Sequence, residues 1–286
     1  MTTREMVLFD WALEHQLRDK ANFEVLEGFL SELLRRKIII RHLVESENNP
    51  TAVYNNTTRM ILLVEVDGSE LVVIELQFEG EYDFYVRTFH GDNTSISKGY
   101  PYSEVQKVYS INIVLFDLGE GDDYIYHGVT DFTGLHVRDK LQLSARLQQF
   151  FNKTCPCDLH LEYYIIKINE FDEVLENTLD EWMFYLKKNK IRDCFTAQGM
   201  DKACKVLAYY DLTDDEKRWY NNSIENRRIN DSVMNTALTN GYAEGLKKAK
   251  AKLEAVQAEK DAAQAEKRCC PGTVRSTDCR ITAAIG

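Results

Sequence analysis

Arg59-Met-Ile-Leu-Leu-Val-Glu-Val66, Asp67-Gly68-Ser69 and Glu70-Leu-Val-Val-Ile-Glu-Leu-Gln77 read as strand, turn and strand. A short Asp-Gly-Ser loop between two β-branched runs is a hairpin signal. Both runs are almost continuously apolar, so they belong to a sheet covered on both faces. With Asp67, Gly68 and Ser69 as the loop, Val66 faces Glu70. Continuing that antiparallel register sets Ile61 opposite Glu75 and Arg59 opposite Gln77. Side chains so opposed stand about 5 Å apart at Cβ.

Glu75 and Gln77 lie two residues apart and share one face of the second strand. Metal-assisted phosphodiester hydrolysis can use such a pair. A divalent cation binds a phosphate oxygen and acidifies the attacking water. Magnesium takes hard oxygen ligands, usually one or two carboxylates. A nearby Lys or Gln orients the water or steadies developing charge. The partner carboxylate belongs across the hairpin, at position 61, which holds isoleucine. Glu-x-Gln at a strand end is common, and a strand emerging into solvent explains it equally well. A glutamate inside Val-Val-Ile-Glu-Leu-Gln-Phe is less ordinary, because a buried carboxylate needs a partner. Glu65 shares the face of Ile61 but lies about 13 Å along the strand at 3.3 Å per residue.

Upstream, residues 5–20 show helical spacing through Leu8, Trp11, Ala12 and His15. Asn22 is a candidate cap for a helix over Phe23–Arg36, with positive charge at its C-terminal end. Lys37–Leu43 reads as a strand and residues 45–58 as a loop. Downstream, helices are expected from Glu81 to about Lys98, over Phe171–Asn189 and over Gly199–Tyr210. Strands are expected at Lys107–Asp117, Asp122–Val129 and His160–Lys167. From Thr213 the chain is helical and increasingly polar. Gln257-Ala-Glu-Lys260 recurs as Gln264-Ala-Glu-Lys267, a short heptad-like echo. After Arg268 all periodicity ends, as in a disordered or frameshifted tail. The expected organisation is therefore 1–212 as the main domain, 213–267 as a helical extension and 268–286 as an aberrant tail.

The composition is that of a soluble globular chain, 44% hydrophobic and 28% charged. A net charge of -11 shows no basic, phosphate-tracking excess, although charge can be segregated on a surface. No apolar run approaches the roughly 18 residues of a membrane helix. The first residues lack the apolar stretch of a signal peptide, so a cytoplasmic location is expected. Seven cysteines at irregular spacing read as free thiols. Cys155-Pro156-Cys157 resembles half a metal site but has no second ligand pair at zinc spacing.

Three longer blocks carry a resemblance. They are FDWALEHQLRDKANFEVLEGFLSELL from Phe9, VVIELQFEGEYDFYVRTFHG from Val72 and PYSEVQKVYSINIVLFDLGEGDDYIYHGVTDFTGLH from Pro101. They resemble the PD-(D/E)XK nuclease family transposases, the Rpn-type recombination-promoting nucleases of bacteria, over about residues 5–245. The resemblance implies an α/β, restriction-endonuclease-like core, a mixed central sheet flanked by helices, with a helical C-terminal extension. It implies magnesium-dependent hydrolysis of double-stranded DNA in recombination or transposition. In the family pattern an arginine, a hydrophobic residue and an aspartate lead the first hairpin strand. Arg59 and Met60 match, and Ile61 stands where the aspartate belongs. Glu75 and Gln77 match the Glu-x-Gln, with Gln in place of the superfamily lysine. Arg87 matches a further arginine, which, with Arg59, is a candidate phosphate contact. Glu27, and after it Asp10, is a candidate for an additional acidic residue from the first helices.

The resemblance therefore implies an endonuclease fold with one metal carboxylate missing, and weakened magnesium binding. Competing expectations are a non-catalytic DNA-binding subunit, a homo-oligomer joined through residues 243–267, and a decaying mobile-element relic.

Overall fold

The computed structural model describes residues 3–44, 59–67, 70–77, 80, 84–91 and 107–269, without the side chains of 59, 60, 87, 90, 91 and 266–269. In chain order the elements are β1 Thr3–Glu5, α1 Phe9–His15, α2 Phe23–Leu34, β2 Ile40–Leu43, β3 Arg59–Val66, β4 Glu70–Gln77 and α3 Phe84–Gly91. They continue with β5 Lys107–Val114, β6 Ile125–Gly128, α4 Ala145–Phe151, β7 Glu162–Lys167, α5 Thr178–Lys188, β8 Lys190–Arg192, α6 Met200–Val206 and α7 Asp214–Cys269. The chain divides into two compact units, Met1–Tyr220 and Asn221–Gly286. The loop at 45–58 and nearly all of the tail at 268–286 lie outside the described residues. Among those residues no helix is long and apolar enough to cross a membrane.

The centre is a mixed six-stranded sheet in the order β2-β3-β4-β5-β7-β6. β4, β5 and β7 run parallel; β2, β3 and β6 attach antiparallel. Alternation along each strand sorts side chains into two faces. One face carries Leu62, Val64, Val66, Val72, Ile74, Leu76, Ile111, Ile113 and Ile166, all buried in one apolar cluster. Into the same cluster pack Phe9 and Leu13 of α1, Phe29 and Leu30 of α2, Trp182 and Tyr185 of α5, and Ala203 of α6.

Two glycines set the spacing in this layer. A Cβ on Gly28 would lie 2.2 Å from the Gln198 carbonyl oxygen, and one on Gly199 would lie 2.8 Å from that of Glu24. Gly199 also has φ of 81°, a left-handed conformation that glycine adopts without strain. So α2 rests almost directly on the backbone that enters α6.

The hairpin is anchored to α2 by charge. Arg36, just beyond the left-handed end of α2, bonds Asp67 at 2.6 Å and also Glu70. Asp67 itself exchanges backbone and side-chain bonds with Ile39. The hairpin turn is thereby tied to the loop between α2 and β2.

The opposite face of the sheet is covered by α3. Phe84 and Thr88, one helical turn apart, are both buried, and the Phe89 ring meets Tyr163 edge-on at 4.9 Å. Tyr163 is register-paired with Ser110, and Ser110 with Val73, so α3 lies on the face of Glu75 and Gln77. The cover is incomplete: Ile61, on that face, remains 37% exposed.

Several expected elements are shortened for identifiable reasons. The helix expected from residue 5 starts at Phe9, because Thr3–Glu5 pairs with β8, and Met6 and Val7 donate to Asn189 and Leu207. The helix expected from Phe171 starts at Thr178, where Asn177 and Asp180 form a reciprocal capping box. Helix α4 has no counterpart among the elements expected from the sequence. Cys155 and Cys157 are joined as a disulfide rather than free, their Cα atoms held 5.1 Å apart across a turn begun by Pro156. Cys194 and Cys204 are free thiols.

Two tyrosines, Tyr164 in β7 and Tyr124 just before β6, resist ionisation. Burial, then the charge of Glu162, pushes Tyr164 up to about 12. Burial, then its bond to Asp180, raises Tyr124 well above the ordinary phenol range. A folded pKa above the unfolded value near 10 stabilises the fold below pH 10, and this contribution is lost as pH rises through the folded value. Stability should fall between about pH 10 and 12. Absorbance at 295 nm and circular dichroism, followed together, should show these phenols ionising late and with unfolding.

Candidate functional site

Backbone pairing joins Arg59 to Gln77, Ile61 to Glu75 and Val66 to Glu70. This is the register expected from a three-residue loop. On the other side of β4, Glu75 is paired with Asn112 of β5, and Gln77 with Val114. A row therefore runs across three strands on one face: Ile61, Glu75, Asn112. Exposure falls along it, from 37% at Ile61 to 3% at Glu75 and 1% at Asn112. The open end is on β3 and the closed end on β5, beneath α3. Gln77, two residues beyond Glu75, is fully buried.

Glu75 sits on a central strand hydrogen-bonded on both sides, and no described element can move it without disturbing the sheet. Ile61 brings a hydrocarbon to the position directly beside it. Such a side chain is easily accommodated there, but it supplies neither charge nor lone pair.

Glu27 does not join this row. Its carboxylate accepts a hydrogen bond at 2.8 Å from the backbone N–H of Ile40. Ile40 is paired with Val66, five residues along β3 from Ile61, or about 16 Å at 3.3 Å per residue. Glu27 thus caps the start of β2. Asp10 is buried in α1 on the opposite face of the sheet, near Tyr185. Arg59 occupies the first position of β3 and Arg87 a position in α3, but both side chains lie outside the described set.

Asn112 does not stand out in the sequence. Its only signal there is a lone amide in the apolar run Lys107-Val-Tyr-Ser-Ile-Asn-Ile-Val114. The Asn112 side-chain NH2 donates to Ser110 O at 3.3 Å, Ser110 Oγ at 3.1 Å and Tyr164 O at 3.4 Å. Two of these acceptors are main-chain carbonyls, which cannot donate, so the amide nitrogen must face them. Its oxygen, Oδ1, is buried without a hydrogen-bond partner, as is Thr88 Oγ1.

The model of the PD-(D/E)XK nuclease family transposases matches residues 8–237. The chain belongs to this family. No curated protein and no solved structure matches it. Membership agrees with the mixed sheet, its flanking helices and the long C-terminal helix.

PD-(D/E)XK nucleases are generally metal-dependent, so the donor set can be judged against a cation. Glu75, Gln77 and Asn112 Oδ1 are all oxygen donors, the kind that magnesium selects. They fit a hard cation in kind. They fall short in charge, with one carboxylate where the family pattern has two. Among the described residues no three His, Cys, Asp or Glu side chains converge.

Proposed function

We propose that this chain is a DNA-directed member of the family whose magnesium-dependent cleavage of double-stranded DNA, in recombination or transposition, is impaired by Ile61. The observation that carries this reading is the cross-strand pair of Ile61 with Glu75. In this reading an uncharged side chain stands beside Glu75, where a second carboxylate would share the cation.

Glu75 would hold a cation from the centre of the sheet. A bound divalent cation would polarise a phosphate oxygen and make a bound water more acidic. Gln77 orients the attacking water through its amide. It has no titrating group, so it cannot itself take the water's proton. Arg59 and Arg87 are assigned to the phosphate backbone on resemblance alone. The open end of the row, at Ile61, is the side from which a strand of DNA would approach.

The same isoleucine favours a second reading, a non-catalytic DNA-binding relic of a mobile element. One experiment addresses both: retention of a labelled duplex at increasing salt, with magnesium present and cleavage scored in the same samples. The expected result is binding whose logarithm falls linearly with the logarithm of salt concentration, accompanied by little cleavage. Absence of binding at the lowest salt would remove DNA as the partner under either reading.

A further inference from the structure

We propose that Asn112 Oδ1 is a second protein oxygen for a hard divalent cation at Glu75, standing in part for the carboxylate that position 61 lacks. The inference rests on the functional reading above and adds a residue to it.

Glu75 has two register partners on its own face, Ile61 on β3 and Asn112 on β5. Neighbouring strands lie about 4.8 Å apart. Two oxygens bound to one magnesium ion, each at about 2.1 Å, are at most about 4.2 Å apart. Side chains from paired positions of adjacent strands can meet that spacing by leaning together. Position 112 is therefore the register partner of Glu75 on the side away from position 61, through a parallel rather than an antiparallel ladder.

The chemistry of the amide supports this. Its nitrogen is committed to Ser110 and Tyr164, which fixes which end carries the oxygen. That oxygen is buried and unpartnered, as is the hydroxyl of Thr88 on the helix covering this face. Buried acceptors of this kind call for a donor or a cation. Glu75, in the same row, is a carboxylate whose oxygens a hard cation would share with this amide oxygen. Because an amide oxygen carries no full charge, the resulting site is weak.

The test is Mn2+ binding by the full chain, read from the loss of the free-ion electron paramagnetic resonance signal. It is made in the unsubstituted chain and in the Ile61→Asp background, where affinity is higher. Asn112→Leu should weaken Mn2+ binding at least about tenfold, and Asn112→Asp should tighten it by a similar factor, each tenfold step being about 1.4 kcal/mol. An Asn112 that only braces the sheet, or that holds a buried water, would lower the thermal midpoint in both variants and tighten Mn2+ binding in neither. That outcome overturns the proposal. Should Asn112→Leu fail to fold, Asn112→Asp decides alone, and no tightening counts against the proposal. If Ile61→Asp itself leaves Mn2+ binding unchanged, the functional reading fails. If it tightens binding and the Asn112 variants have no effect, only the role of Asn112 fails.

Discussion

Ile61→Asp is expected to raise magnesium-dependent cleavage of duplex DNA at least tenfold, and up to about a hundredfold, over the unsubstituted chain. Removing partners that merely orient metal ligands costs about 10–100-fold, so a direct carboxylate ligand should contribute at least as much. The structure makes the substitution inexpensive. Ile61 is already 37% exposed, so the new carboxylate would not be stranded in the core. It would stand opposite Glu75, and the two negative charges would repel until a cation bridged them. Loss of strand propensity and of apolar contact should destabilise the fold by no more than about 1 kcal/mol. Plasmid nicking against magnesium concentration is the check, with thermal denaturation in parallel. A folded Ile61→Asp protein with Mn2+ affinity equal to that of the unsubstituted chain would show that position 61 is not a ligand position.

Gly28→Ala should be among the most destabilising single-methyl changes in the molecule, by about 1–3 kcal/mol or more. The new Cβ would sit 2.2 Å from Gln198 O, 2.7 Å from Gln198 C and 2.7 Å from Gly199 Cα. All three are backbone atoms, so no side chain can swing away to make room. Relief requires α2 to lift from the entry to α6, which disturbs the layer containing Phe29 and Trp182, whose rings lie 5.8 Å apart. In a domain of this size each 1 kcal/mol corresponds to about 2–4 °C of thermal midpoint. Gly241 and Gly245 provide the control. Both lie within α7, and a methyl group added at either would meet nothing within 4 Å. Alanine there should be neutral or stabilising, by up to about 1 kcal/mol. Equal effects at Gly28 and Gly241 would mean that the close approach of α2 and α6 is not maintained.

Much of the site is legible in the residues around the hairpin. The three-residue loop sets the register, and the register alone places Ile61 beside Glu75. Period-two alternation in strands covered on both faces does not say which face holds the site. The packing of α3 against Tyr163 shows which helix covers the face of Glu75 and Gln77. Glu27 illustrates a different limit. An acidic residue at the edge of an apolar helical stripe has the same pattern whether it faces a metal or caps a neighbouring strand, and here it caps Ile40. Asn112 is hard to find from sequence because one amide among β-branched residues is a weak signal. Its partner across the parallel ladder comes from a crossover, whose register no local loop specifies. The start of the chain misleads for the same reason. Its helical spacing is real, but Thr3–Glu5 has a non-local partner in β8, almost the whole domain away in sequence.

On the proposed function, this member of the family would keep the scaffold and half of a metal-holding pair, and with the other half would lose most of its hydrolytic power. Its most direct test is the rate of magnesium-dependent cleavage of supercoiled DNA by the unsubstituted full chain, measured beside Glu75→Ala under identical conditions. The account predicts that the two rates are both low and lie within a few-fold of each other. Rapid cleavage by the unsubstituted chain, abolished in Glu75→Ala, would contradict it.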